Sequence, residues 1–305
     1  MTDFAPQRAA LADVVAIPVT PFTENDQLDQ ESYRALVRRL LASGVQALTP
    51  NGNTSEFYAL TPEERRVEVG LTLAEVEAVG SDAQILVGVG QDVPTAVASA
   101  LEARAAGARM VMVHQPVHPY VSLDGWVDYH RAIAEAVPEL GVVPYLRNPA
   151  IDGATLARLG AACPNVIGVK YAVPDAVRFA SVARDAGLDR FVWVAGLAEL
   201  WAPSYFASGA TGFTSGLVNV APEVSLAMRD ALRAGDYPAA MRVWELIRPF
   251  EELRAERQSA NNVTVVKEAL AALGLCRRDV RPPSTVLPPA ERERVATMVK
   301  GWELP

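Results

Sequence analysis

Short β-branched runs recur along the chain at intervals of roughly 25 to 35 residues, and segments of helical period fill the gaps between them. The runs are Val14 to Thr20, Ala47 to Asn51, Ile85 to Gly90, Arg109 to His114, Gly141 to Leu146, Val166 to Tyr171, Phe191 to Ala195 and Thr211 to Ser215. Between them, Gln30 to Ser43, Pro62 to Val79, Val93 to Ala106 and Ala154 to Ala162 read as helices. Several helices run into a glycine just before the next strand, at Gly44, Gly107 and Gly209, which suits a helix stop followed by a tight loop. Eight such units within about 215 residues match a closed (β/α)8 barrel of the TIM-barrel class better than an open doubly wound sheet. From Pro222 onward the pattern is helical almost to the end, interrupted by the Pro-rich "RPPSTVLPP". The expectation is an α/β protein with the barrel over 1–222. Residues 223–305 are read as the last barrel helix and a C-terminal helical extension of the same structural domain.

Composition excludes several function classes. The chain has 305 residues, half of them hydrophobic, with no low-complexity tract, so it is long enough to bury a real core. Its formal charge is −8, from 28 Lys and Arg against 36 Asp and Glu, with no dense basic cluster. Nucleic acid and anionic membrane are therefore not expected partners. No stretch approaches the roughly 18 uncharged apolar residues of a membrane span, and the N-terminus lacks the pattern of a signal peptide, so a cytoplasmic location is expected. Cys163 and Cys276 are too few for a disulfide scaffold. His114, His118 and His130 do not have ligand spacing, and no structural or catalytic metal is expected.

One residue interrupts the apolar logic. The run "PNVIGVKYAV" at Pro164 to Val173 reads as a strand buried on both faces, yet it contains Lys170. Burying an unpaired ammonium is expensive, and a protein that does so lowers the lysine pKa and makes the amine a nucleophile near neutral pH. The functional reading is a Schiff-base lysine at the C-terminal end of the sixth strand, where barrels of this class carry their active sites. The plain alternative is an amine in water or in an ion pair. Gly168, two residues earlier on the same face, is expected to leave room for the lysine stem. Tyr145, in "GVVPYLRNP" on the fifth strand, is expected beside Lys170, since adjacent strands lie about 5 Å apart; a phenol near an imine relays protons, and a packed aromatic is the alternative. After the second strand, "GNTSEFY" at Gly52 to Tyr58 offers small hydroxyl and amide side chains and backbone N–H groups for a carboxylate. Thr61 and Glu64 there read as a capping box.

Taken together, these segments resemble the family of dihydrodipicolinate synthase and N-acetylneuraminate lyase, the class I Schiff-base aldolases and dehydratases. The resemblance runs over nearly the whole chain, through "IPVTPF" at Ile17, "GNTSEFYALTPEER" at Gly52, "YLRNP" at Tyr145, "PNVIGVK" at Pro164, "GATGFTSGLVNVAPE" at Gly209, and "VKEALAALGL" with "VRPP" near the C-terminus. It implies that Lys170 forms an imine with a 2-keto acid, that Tyr145 is the proton-relay phenol, and that Thr54, with Ser55 behind it and Asn53 beside it, holds the carboxylate. It also implies Ser215 and Gly196 as substrate-site residues, no cofactor beyond the covalent imine, and a homotetramer or homodimer.

The departures bear on substrate. The family's first-loop pattern is usually Gly-Thr-Thr-Gly-Glu, where this chain has Asn53 and Ser55. Where dihydrodipicolinate synthases place a relay tyrosine, it has Val117-His118-Pro119. His118 is a candidate acid or base at the barrel mouth, or a solvent-exposed loop residue. Ala150 stands where the synthases carry an arginine. Arg147 and Asn148 instead follow Tyr145 in a pattern similar to that of 5-dehydro-4-deoxyglucarate dehydratases, and Arg147 is expected to clamp a second carboxylate or else to form a surface ion pair. The "KYAVPD" after the lysine lacks the acidic residue usual in those dehydratases. The resulting expectation is a Schiff-base lyase acting on a 2-keto acid, such as the dehydration of a keto-sugar acid. Its rivals are a dihydrodipicolinate synthase or N-acetylneuraminate lyase type pyruvate aldolase, and a non-catalytic barrel that binds keto acids.

Overall fold

A computed structural model describes residues 3–302. All eight expected strands form, as β1 (Val14–Ala16), β2 (Ala47–Leu48), β3 (Gln84–Val89), β4 (Met110–Val113), β5 (Gly141–Leu146), β6 (Gly168–Tyr171), β7 (Val192–Ala195) and β8 (Gly212–Ser215). They close in chain order into a barrel, and the pairings from β2 through β8 are parallel. Most are shorter than their β-branched runs, because the flanking residues pack as buried but unladdered chain. β1, for example, ends at Ala16 while burial continues to Phe22.

The helices are α1 (Ala5–Leu11), α2 (Gln30–Ala42), α3 (Pro62–Ala78), α4 (Val93–Ala105), α5 (Leu123–Ala136), α6 (Gly153–Ala162), α7 (Ala176–Ala186), α8 (Ala198–Phe206), α9 (Pro222–Arg233), α10 (Tyr237–Ser259), α11 (Asn262–Ala272) and α12 (Pro289–Lys300). None among the described residues is long and apolar enough to cross a membrane. Gly44, Gly107 and Gly209 take φ of 88°, 101° and 116°, the left-handed conformation that ends a helix at no steric cost to glycine. The capping box at α3 forms as the residues imply: Thr61 Oγ1 accepts from the Glu64 N–H at 3.2 Å, and Glu64 Oε2 accepts from the Thr61 N–H at 2.8 Å.

The residues fall into two compact units, each assembled from separated stretches of chain. The first takes Met1–Val15, Gln46–Thr49 and Ala83–Thr214. Its core is a cluster of inward side chains that includes Val15, Leu86, Met110, Met112, Val143, Tyr145 and Val194. Helix α1, not foreseen from the sequence, contributes Ala10 and Leu11 to that cluster. On the outer face Tyr171, Phe179, Trp193 and Tyr205 stack with ring centroids 4.9–5.9 Å apart.

The second unit takes Ala16–Val45, Pro50–Asp82 and Ser215–Pro305, and so contains α2, α3 and α9 to α12. Helix α10 breaks at Glu256–Gln258, where Arg257 and Gln258 leave helical φ and ψ. Inside this unit Lys267 is fully buried and paired with Glu56 Oε1 at 2.5 Å. Arg281 clasps Glu64 at 2.7 Å and Asp26 at 2.8 Å. Both cations lie over the Phe22 ring, at 4.1 and 4.2 Å from its centroid. These charges tie the C-terminal region to the loop that begins at Gly52.

Candidate active site

In the first unit the parallel register of β5 and β6 sets Tyr145 directly across from Lys170. Partners in such a ladder point to the same side of the sheet, and the Lys170 amine lies 4.4 Å from the centre of the Tyr145 ring. Lys170 is 3 % exposed. Among the described residues no carboxylate pairs with it, so the ion-pair alternative is not what the fold builds. Burial, followed by the positive charge of Arg147, pushes the Lys170 pKa down to about 7. The amine is therefore partly uncharged at neutral pH.

Room for the lysine stem does not come from Gly168, as the sequence suggested. A Cβ on Gly168 would meet the Val192 carbonyl oxygen at 2.9 Å and Leu11 Cδ1 at 3.2 Å, so that space is filled by α1 and the start of β7. The glycine beside the stem is Gly196, just after β7. A Cβ there would sit 3.0 Å from Lys170 Cγ, 2.8 Å from the Tyr171 carbonyl oxygen and 2.9 Å from Ala172 Cβ.

Arg147 extends from the end of β5 and is exposed, and among the described residues no carboxylate pairs with it. Its backbone N–H donates to Gln115 Oε1 at 2.9 Å, which pins the strand end. Asn148 Oδ1 accepts from the Ala150 N–H at 2.9 Å and shapes the following turn. His118 is exposed in the loop after β4, with its Nδ1 2.9 Å from the Tyr120 carbonyl oxygen. The histidine that stands against Tyr145 is His114: it is fully buried, and its ring is perpendicular to the phenol ring with centroids 6.2 Å apart. In the sequence His114 stands out only as a possible metal ligand. Its signal was a polar aromatic at the last position of an apolar strand run.

In the second unit the loop Gly52–Glu56 is fixed by its own hydrogen bonds. Ser55 N–H and Phe57 N–H donate to the Gly52 carbonyl, Glu56 N–H donates to the Asn53 carbonyl, and Gly52 N–H donates to Ser55 Oγ. The Ser55 hydroxyl gives its proton to the Pro18 carbonyl at 2.6 Å, so it braces the loop rather than facing a ligand. Asn53 is only partly buried, and its carbonyl oxygen anchors the turn. Thr54 differs. It is 2 % exposed, and neither its N–H nor its hydroxyl finds a partner among the described residues. A point 2.5 Å from Arg254 Nη2, where Gly216 would carry a Cβ, is 3.3 Å from Thr54 Cγ2, so a buried guanidinium lies close to this loop. Arg254 is paired with Glu251 at 2.6 Å and held by Asn262 Oδ1 at 2.8 Å. Nothing in the helical pattern of α10 singled it out. Ser215 Oγ accepts from the Val218 N–H at 2.9 Å and lies 3.2 Å from Ser225 Oγ, so it caps the turn after β8. Among the described residues no group of three His, Cys, Asp or Glu side chains is arranged to hold a metal ion.

A barrel with a desolvated lysine faced by a phenol invites comparison with known proteins, and residues 10–301 match the Dihydrodipicolinate synthetase family. The chain belongs to that family. Among curated relatives, probable 5-dehydro-4-deoxyglucarate dehydratases of Methylobacterium radiotolerans and Rhizobium rhizogenes are 32 % and 31 % identical, with 98 % and 96 % of both chains covered. Among solved structures, dihydrodipicolinate synthase from Bacillus clausii superimposes with a TM-score of 0.92 at 39 % identity, over 97 % of this chain and 99 % of the other. That from Oceanobacillus iheyensis gives 0.93 at 35 % identity, over 98 % and 99 %. The barrel and helical C-terminal region are thus those of the dihydrodipicolinate synthetase family, and its relatives carry the names of lyases.

Proposed function

We propose that this protein is a Schiff-base-forming lyase that acts on a 2-keto acid through Lys170. One observation carries the reading: an amine 3 % exposed, with no carboxylate partner among the described residues, against the face of a tyrosine ring. The uncharged amine adds to the ketone carbon, water leaves, and the protonated imine accepts the electron pair of an adjacent C–H or C–C bond to give an enamine; in a dehydration that enamine expels the hydroxyl of the next carbon, which leaves with the C–O electron pair and a proton as water. Tyr145 moves protons to and from the carbinolamine oxygen, and His114 supports its ring. Thr54, whose N–H and hydroxyl have no partner among the described residues, offers donors of the kind that bind a carboxylate. Arg147, exposed and without a carboxylate partner among the described residues, suits a second carboxylate. That feature, with the names of the curated relatives, favours dehydration of a keto-sugar diacid of the 5-dehydro-4-deoxyglucarate type.

A pyruvate aldolase is the second reading, favoured by the 39 % identity to a structure named dihydrodipicolinate synthase. The test is trapping with borohydride in the presence of pyruvate or of the diacid, followed by intact mass and peptide mapping. A stable adduct on Lys170 is expected, and Lys170→Ala is expected to lose turnover by at least about a thousandfold. Absence of an adduct with every keto acid tried would favour a binding protein. Turnover of the diacid but not of pyruvate with an aldehyde would separate the two lyase readings.

A further inference from the structure

Beneath the Thr54 loop lies a carboxyl group that the proposed chemistry does not use. Glu68, on α3, is 0 % exposed. Its Oε1 is hydrogen-bonded to Thr20 Oγ1, and the same Thr20 oxygen lies 2.7 Å from the backbone oxygen of Ser55. The protons on this chain of three oxygens can be counted. The Ser55 oxygen belongs to a carbonyl and only accepts. A threonine hydroxyl has one proton, and the carbonyl takes it. The contact between Thr20 and Glu68 then needs a second proton, which only the carboxyl can supply. The geometry points to a Glu68 that is un-ionised in the folded protein, donates to Thr20, and through Thr20 positions the Ser55 carbonyl and the loop that carries Thr54.

The surroundings agree. Burial pushes the Glu68 pKa up to about 8, and it outweighs the Thr20 hydrogen bond, the Asn51 backbone N–H and the Lys267 charge, all of which pull it down, while Glu56 adds to the rise. Lys267, from α11, has its charge answered by Glu56 at 2.5 Å and by the Asp279 carbonyl at 2.7 Å. From α2, Tyr33 meets Thr72 Oγ1 at 2.8 Å, and Thr72 gives its own proton to the Glu68 backbone carbonyl, so the phenol is the donor there. Among the described residues no cation forms an ion pair with Glu68, and Lys267 acts on it only at a distance.

Ionisation has a directional consequence. A carboxylate is a stronger acceptor than an amide carbonyl, so a charged Glu68 takes the Thr20 proton and leaves the Ser55 carbonyl without that donor. The loop then loses a brace, and Glu68 acts as a positioning residue whose effect falls on substrate affinity. This step rests on the reading of the loop as the carboxylate site; the protonation state of Glu68 does not.

Two measurements test it. The infrared spectrum of the full-length protein near neutral pH is expected to show the carbonyl stretch of an un-ionised carboxyl, lost as pH rises through about 8 and absent from Glu68→Gln. Wild type is expected to show an alkaline rise in KM approaching about tenfold per pH unit, and Glu68→Gln, which keeps a donor toward Thr20 but has no proton to lose, is expected to abolish it. Wild type without the band near neutral pH overturns the inference, whether or not Glu68→Gln folds. So do superimposable KM profiles for wild type and variant. Failure of the lyase reading looks different: borohydride traps nothing on Lys170 at any pH, while the carboxyl band persists.

Discussion

Two lysines in this chain interrupt apolar runs, and their fates differ. Lys267, in "VTVVKEALAAL", is buried beside Glu56, and its charge is matched. Lys170 is buried beside a phenol and near Arg147, and its charge is opposed. A sequence pattern cannot tell these apart, because the partner that decides the matter lies 211 residues away along the chain in the one case. For Lys170 the consequence is a stability cost. Its pKa is lowered from the ordinary lysine value to about 7, so the folded protein holds fewer protons than the unfolded chain between those values, and stability rises with pH across that window. Below about 7 the full penalty of a buried ammonium remains. Lys170→Met, nearly the same shape without the charge, is therefore expected to stabilise the fold by on the order of 2 kcal/mol at and below pH 7. The gain should shrink toward zero as pH approaches the unperturbed lysine value. Urea denaturation at several pH values measures it, and a variant less stable than wild type throughout would contradict the account.

At the scale of single elements, the loop after β2 shows what composition concealed. Glycine, asparagine, threonine and serine there looked like interchangeable ligand donors. In the fold their roles separate: Ser55 and most of the backbone N–H groups close the loop on itself, and Thr54 retains unused donors. Glu56 sits at φ 59°, a left-handed conformation for a non-glycine residue, held by Lys267 and by the Arg281 N–H at 2.9 Å. Thr54→Val keeps the shape and removes the hydroxyl, so it is expected to raise KM for a keto acid about ten- to hundredfold, the range for losing a hydrogen bond to a charged group, with thermal stability little changed. Steady-state kinetics and a melting curve check both parts. An unchanged KM would remove Thr54 from the site. The strands and helices themselves were legible, since eight β-branched runs and the helix-ending glycines are local signals. Strand ends were not, because where laddering stops depends on neighbouring chain rather than on the run itself.

At the scale of the whole molecule, closure of the barrel depends on close backbone approach. Gly212 opens β8, and a Cβ there would lie 2.0 Å from the Leu11 carbonyl oxygen and 2.8 Å from that of Asp13. The Phe213 N–H donates to the same Asp13 carbonyl at 3.1 Å, so the last strand meets the chain entering β1 with no room for a side chain. Gly212→Ala is expected to destabilise the protein by about 1–3 kcal/mol, and more if the strand cannot shift, as read by the midpoint of urea unfolding. An unaltered midpoint would mean that closure is looser than the structure implies. The sequence by itself determined the number and order of the strands, the barrel class, and the two side chains, Lys170 and Tyr145, that adjacent strands bring face to face. All of these follow from periodicity and from neighbours in a regular ladder. Only the tertiary structure decided that Gly196 rather than Gly168 borders the lysine, that His114 rather than His118 stands by the phenol, and that Glu68 lies beneath the loop that carries Thr54. Those relations join residues distant along the chain, and burial and proton sharing between such residues exist only once packing has excluded water.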